Sequence, residues 1–558
     1  MQRKPRAQWM FPAKRFWATS VALIAAGAVC TALWAADWPS EGGNPQRDGW
    51  SQGEKKLAKE SASSIQLLYT FKFDNKVSGP ADLTSPVVLS NIIGWKGFKQ
   101  LLFIGGSSDT VYSIDADLGK PYFETPIGSK SAAVQAPPPT VECPGGLSAT
   151  VAIPGTSAPG RGFALPGSAA GQRTGRVART PAPAGRGRGG LGGPGTLYAV
   201  GSDGLLRTLR EQDGNADATP AAKFLPANAR ATGLNVNNGM IYASTVNECG
   251  GNPNGIYALK TADGTLASLV TGGSGASGTA GTAIGTDGVV YAQIASGHGE
   301  VAGTYNDTVL ALNPDNLAVQ DYFTSSAGLP EIAKGVGYPN VTPTVFGYKD
   351  KDWIVAGGRD GRIYILDADS LGGVDHHTAL YQSDVIVAPD KSYGGNGIWN
   401  SFATSLDSDG TRWLYASIRG AAAVKFPVTN GPASTGSIIA FKIEIKDDKP
   451  ILTPQWMSRD LISPAAAAIA NGLVFALSTG QPSRVAKENG TPYTVAEWEK
   501  MAKSATLYVL DGATGKELFT SGNKTTAYSP SGLAVANSQV YFSTHDNILY
   551  AYGIPLEH

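Results

Sequence analysis

The chain has 558 residues, with 70 Gly, 35 Pro, 42% hydrophobic and only 16% charged residues, and its 45 Lys+Arg balance 45 Asp+Glu. Such turn-rich, weakly charged composition excludes a helical bundle or a solvated tail and points to many short strands. The neutral balance excludes a general attraction for nucleic acid, whose binding rests on excess basic charge that neutralises phosphates.

In chain order, residues 1–36 open on a basic stretch, MQRKPRAQWMFPAKRFW, and no charged residue occurs from Phe16 to Ala36. The segment reads as a secretory signal with a small-residue cleavage site at Leu33-Trp34-Ala35-Ala36, or as an uncleaved anchor, since about 20 apolar residues span a bilayer. Either way the remainder is expected outside the cytoplasm, in the periplasm or on the cell envelope. A lipoprotein signal at Cys30 is disfavoured, because the preceding Gly27-Ala28-Val29 lacks the usual leucine. With the leader set aside, Cys143 and Cys249 remain. In an oxidising compartment they form one disulfide or stay as two buried thiols, and no Cys/His spacing suggests zinc.

Residues 37–66 form a lead-in, and residues 67–558 carry a repeat. Eight runs of the type aromatic-x-hydrophobic-acid recur at a period near 50: VYSIDADLG from Val111, LYAVGSDG from Leu197, IYALKTADG from Ile256, VLALNPDN from Val309, IYILDADS from Ile363, IIAFKIE from Ile438, LYVLDGATG from Leu507 and LYAYG from Leu549. Each has an apolar partner just upstream, such as LLFIGG from Leu101, TVAIPG from Thr150 or QVYFST from Gln539. Runs of small residues precede most pairs, and an outer run follows several, as in YFETPI from Tyr122 and TPQWMS from Thr453. Four strands per unit, with no unit able to bury its own face, predict an all-β, eight-bladed β-propeller of four-stranded antiparallel blades. The last unit ends after LYAYG without an outer strand, while LLYTFKF at 67–73 has no partner of its own. The N-terminal run is therefore expected to complete the eighth blade and close the ring.

Two stretches break the rhythm. Residues 155–195 are Gly, Pro, Ala and Arg with almost no large apolar side chain, so they are expected to be a disordered insertion in the second blade. The arginines of that stretch, among them Arg161, Arg173 and Arg188, are read as part of a solvated linker rather than as an RNA-binding tract. Residues 481–504 hold Thr494 three positions before Glu497, a capping box that predicts one short helix on the seventh blade. Asp407-Ser408-Asp409-Gly410 is read as a turn, and His376-His377 as an exposed loop pair.

LYVLDGATGKELF from Leu507 and VYSIDADLGKPYF from Val111 resemble the repeat of the pyrroloquinoline-quinone (PQQ) family of propellers, and WPSEGGNPQRDGWS from Trp38 resembles that family's lead-in. Where the family carries a Trp that docks between blades, Phe123 and Phe519 stand here. The resemblance implies a site on the ring axis for PQQ with calcium. GGRDGRIYILDADS from Gly357 is similar to the segment that supplies a basic residue near the quinone, which makes Arg359 the corresponding position. GGNGIWNSFATSLDSDG from Gly394 is similar to the segment beside the cofactor, which nominates Trp399 and Asn400. Two departures stand out: no Cys-Cys dipeptide is available as a lid, and Tyr338-Pro339-Asn340 stands where the family places its catalytic Asp. An amide does not accept the proton that an alcohol must lose. The expected function is a binding or scaffold module of the cell envelope. The expected partner is an envelope protein or a small molecule, and the chain is expected to be monomeric and to touch the membrane only through an uncleaved anchor. The alternative is a PQQ-dependent oxidoreductase acting on alcohols or sugars.

Overall fold

The structure, a computed structural model, describes residues 36–555 apart from 77–78, 95–96, 129–137, 155–194, 218, 272–274, 277, 296–304, 306, 326–340, 349–350, 358–359 and 389–394. The leader, the Gly/Arg-rich insertion, Arg359 and the Tyr338-Pro339-Asn340 stretch thus lie outside the described residues.

Eight separate sheets form in sequence, antiparallel throughout except that Val428–Thr429 adds a short parallel edge to blade 6. Blade 1 runs Val87–Gly94, Gly97–Gly106, Thr110–Asp115 and Lys120–Pro126. The other blades follow the same meander, and the first strands of neighbouring blades touch one another, so they form the hub. Hub strands such as Ala468–Ala470 and Ala534–Ala536 are fully buried, and their small side chains fit the crowded axis. Outer strands alternate between half-buried and exposed residues, as in Leu266–Val270. This is the pattern of a radial array in which only the outer edges meet solvent.

The ring closes as the unpaired terminal run predicts. Gln66–Lys72 pairs antiparallel with Ile548–Gly553, from Gln66 opposite Gly553 to Lys72 opposite Ile548, and becomes the outer strand of blade 8. In blade 2 the assignment of strands differs from the sequence reading. The run from Leu197 is the second strand, Thr196–Val200, rather than the third. Leu205–Arg210 takes the third place, and the 150–153 stretch lies innermost, where Ala152 bridges Tyr198. The long insertion separates first from second strand there, which removes the hairpin spacing that located the other units.

One device recurs between blades. The turn between third and fourth strands places Gly in the left-handed region, and an outer-strand aromatic of the preceding blade lies against it. Tyr69 of blade 8 covers Gly119 of blade 1, and its hydroxyl donates to Ala116 O at 2.7 Å. Phe123 covers Gly214 of blade 2, as expected for an aromatic standing in place of the docking Trp. Trp456 of blade 6 covers Gly515 of blade 7 and donates its indole N–H to Gly512 O at 2.8 Å. Asp511 orders this turn by accepting from the N–H groups of Ala513 and Thr514.

The helical insertion contains α1, Val495–Met501, with Thr494 and Glu497 capping each other's backbone. Asp407–Gly410 forms the plain turn between the first two strands of blade 6. His376 stacks on Tyr322 at 4.0 Å and faces Asp321 at 3.2 Å, while His377 is exposed.

The Gly turns make a controlled comparison. Gly264 (φ +72°) has nothing within 4 Å of a built Cβ, whereas at Gly515 (φ +69°) a Cβ falls 2.4 Å from the Trp456 ring. Gly264→Ala is expected to lower stability by about 1 kcal/mol, the left-handed cost alone. Gly515→Ala adds roughly 2 kcal/mol of overpacking to the same cost, read as a larger drop in urea midpoint.

Candidate functional site

Because the first strands converge, the hub is where the chain brings residues from distant blades together. The lead-in occupies it. Trp38 exchanges backbone hydrogen bonds with Val88 of blade 1, and Pro39 O accepts from Ile153 N of blade 2. Pro45 O accepts from Asn235 Nδ2 of blade 3 and from Ile284 N of blade 4, and Gln46 O from Val345 N of blade 5. Asp48 O accepts from Thr404 N of blade 6, and Gly49 O from Ile469 N of blade 7. Finally Glu54 Oε2 accepts from Ser538 N of blade 8 at 2.7 Å. Residues 38–54 thus touch all eight blades in chain order. They lie toward the face that carries the turns between first and second strands, since Glu54 O and Leu57 O are held by Asn471 in one such turn.

Arg47 is the pin of this arrangement and is 0% exposed. Its guanidinium donates to Thr282 O at 3.0 Å, Leu234 O at 3.0 Å, Ala280 O at 3.1 Å and Ser40 Oγ at 2.9 Å, and also to Glu41 O. Burial lowers its pKa to about 10, opposed by the nearby Glu41 carboxylate, which accepts from Thr150 Oγ1 at 2.7 Å. Asp48 is pushed up to about 6 by burial, against hydrogen bonds from Trp50 N and Asn44 and the charge of Arg412. Sequence reading identified the lead-in but not these roles. The one signal was the concentration of Glu41, Arg47, Asp48 and Glu54 in an otherwise charge-poor chain.

Trp399 and Asn400 lie in the first strand of blade 6, Gly397–Leu406, at a bulge toward the opposite face. Trp399 is 7% exposed, its indole N–H donates to Gly395 O at 2.7 Å, and the Arg419 guanidinium sits 3.6 Å over its ring. Asn400 adopts a left-handed backbone (φ 63°) and donates to Pro464 O at 3.0 Å. With a guanidinium over the indole, Trp399 as placed does not fit a flat quinone stacked on that face. Among the described residues no group of three or more His, Cys, Asp or Glu is arranged to hold a metal ion. Cys143 and Cys249 are joined in a disulfide that ties the segment after blade 1 to blade 3.

Comparison with solved structures gives the hub its context. A quinohemoprotein alcohol dehydrogenase from Pseudomonas putida aligns over 94% of this chain and 81% of its own, with a TM-score of 0.54 at 12% identity. The chain shares that protein's propeller fold. A second quinohemoprotein alcohol dehydrogenase, from Comamonas testosteroni, matches with a TM-score of 0.52 at 12% identity over 94% and 81% of the two chains. A europium-containing methanol dehydrogenase matches with 0.54 at 11% identity over 94% and 91%. No family model and no curated protein matches the sequence.

Two outcomes follow from the hub. Arg47→Met strands several buried carbonyls and leaves Glu41 without its cation, and is expected to cost about 3 kcal/mol in urea unfolding. The carboxyl of Asp48 has a folded pKa raised above its unfolded value of about 3.9. Its contribution to stability is therefore complete below about pH 4 and is lost as pH rises through about 6. Denaturation midpoints are expected to fall across that interval, and Asp48→Asn to flatten the slope.

Proposed function

We propose that this chain is exported and works by binding, as a scaffold or ligand-binding module of the cell envelope built on a quinoprotein-like propeller. The observation that carries the reading is the Arg419 guanidinium seated on Trp399, which takes the surface a stacked quinone needs. The Asn at position 340, in place of a carboxylate base, supports it from the sequence. Export is supported by the Cys143–Cys249 disulfide, since such bonds persist in oxidising compartments. Among the described residues no helix is long and apolar enough to cross a membrane. The balanced charge favours an envelope protein or a small molecule over nucleic acid as partner.

A second reading, a PQQ-dependent oxidoreductase of alcohols or sugars, is favoured by the extent of the fold match, 94% of this chain. In that reading Arg359, Trp399 and Asn400 surround the cofactor, and Arg419 must leave the indole. Titration with PQQ and calcium separates the two. The binding-module reading expects no saturable shift in quinone absorbance and no dye reduction with alcohols or aldoses. Saturable binding with turnover establishes the oxidoreductase, and Arg419→Ala is then expected to tighten quinone binding by uncovering the ring.

A further inference from the structure

The lead-in lies at one end of the hub, and the opposite face is crossed by chain. Blades 3 and 7 stand four positions apart in a ring of eight and are therefore on opposite sides. Residues 140–146, which follow blade 1, are attached to both. On the blade 3 side Cys143 is bonded to Cys249, and Glu142 O accepts from Asn247 Nδ2 at 3.0 Å and Arg230 Nη1 at 2.8 Å. On the blade 7 side Val141 is buried with Trp498 of α1 and with Tyr528 of the linker from blade 7 to blade 8. Two residues span at most about 7 Å, so elements from opposite sides of the ring meet over this mouth at the strap.

The apolar anchor of the strap rests on a titratable group. Trp498 packs edge-on against Tyr528 (5.3 Å, 85°), and Tyr528 stacks on His545 (4.6 Å, 14°) in the turn between the second and third strands of blade 8. The imidazole lies between two carboxylates: Nδ1 is 2.5 Å from Asp82 of the segment before blade 1, and Nε2 is 3.4 Å from Glu499 of α1. Among the described residues a further charge acting on it is Asp546, on its own turn. Asp82 is fully buried and stays fixed, since its backbone carbonyl also accepts from Ser107 N and Asn75 Nδ2. Burial draws the imidazolium's pKa down, but Asp82 and Glu499 outweigh it and hold the group above its ordinary value.

We propose that the strap at 140–146, helix α1 and His545 form a proton-controlled clasp across the face of the hub opposite the lead-in. Doubly protonated His545 bonds both carboxylates and holds α1 against the ring. When it gives one proton to solvent, Nδ1–H stays with buried Asp82, and the bare Nε2 lone pair then faces the Glu499 carboxylate. That repulsion frees α1, and Trp498 withdraws from Val141. The disulfide keeps the strap on blade 3, so opening is a hinge about Cys143 rather than a detachment. This holds whatever ligand enters the mouth.

Hydrogen–deuterium exchange on the full chain, corrected for intrinsic rates, tests the clasp. Peptides covering 140–146 and 494–502 are expected to exchange at least about tenfold faster near pH 9 than near pH 6, while the lead-in at 45–54 remains protected. His545→Gln is expected to exchange fast at both values. Glu499→Gln lets an amide N–H donate to neutral His545, so its strap stays protected at both. Strap exchange in the unaltered chain that is the same at both pH values overturns the proposal. So does a Glu499→Gln variant that keeps the full response with its lead-in protected.

Discussion

The whole architecture depends on the antiparallel pairing of Gln66–Lys72 with Ile548–Gly553. Eight blades stacked side by side leave two unmatched faces unless first and last meet, and here the two ends of the described domain share one sheet. Tyr69 serves both purposes at once, because its backbone pairs opposite Ala551 while its ring covers Gly119 of blade 1. The contact joins residues nearly 500 positions apart, so its loop-closure entropy is large unless the intervening blades already hold the two ends near each other. The lead-in just upstream then closes the hub, which means that one continuous stretch, roughly residues 38 to 73, performs both closures.

The hub shows why the lead-in is charged. Arg47 and Asp48 are buried among main-chain groups, and burial works against each of their charged forms. Removing one such group strands its partners at a large cost, but a wholly apolar arrangement of the same size is often as stable as a buried charged one. What they supply is registry: the donors of Arg47 reach carbonyls of blades 3 and 4, and Glu54 reaches the amide of Ser538 in blade 8. A greasy plug would fill the same space without fixing which blade meets which residue.

The repeat was legible in the sequence because the third strands share an apolar core pattern that in several blades ends in an Asx turn, as at Asp115 and Asp511. The capping box at Thr494 was legible because it is local. Blade 2 was misassigned by one strand because its first hairpin is split by the insertion, so Leu197 took the place that Leu205–Arg210 fills. The lead-in contacts were not legible, since they are mostly hydrogen bonds to backbone groups far along the chain and carry no residue signature. Nor was the state of Trp399. Its neighbourhood in sequence suggests a cofactor floor, but the residue that decides the matter, Arg419, arrives from the next strand.

The two faces of this propeller are consequently unequal. One is spanned by residues 38–54, bonded to all eight blades, and the other is crossed by a strap secured at Cys143 and Val141. The same ring serves unrelated chemistries according to what its inner strands and face loops present. In this chain the inner strands present small side chains, and several hydroxyls beside them serve the scaffold: Thr84 Oγ1 accepts from Gly105 N, Thr232 Oγ1 from Ser244 N and Ser85 Oγ from Gly532 N. What sets individual blades apart is therefore not these hydroxyls but larger groups: Arg419 seated on Trp399 in the two inner strands of blade 6, and the helix inserted in blade 7.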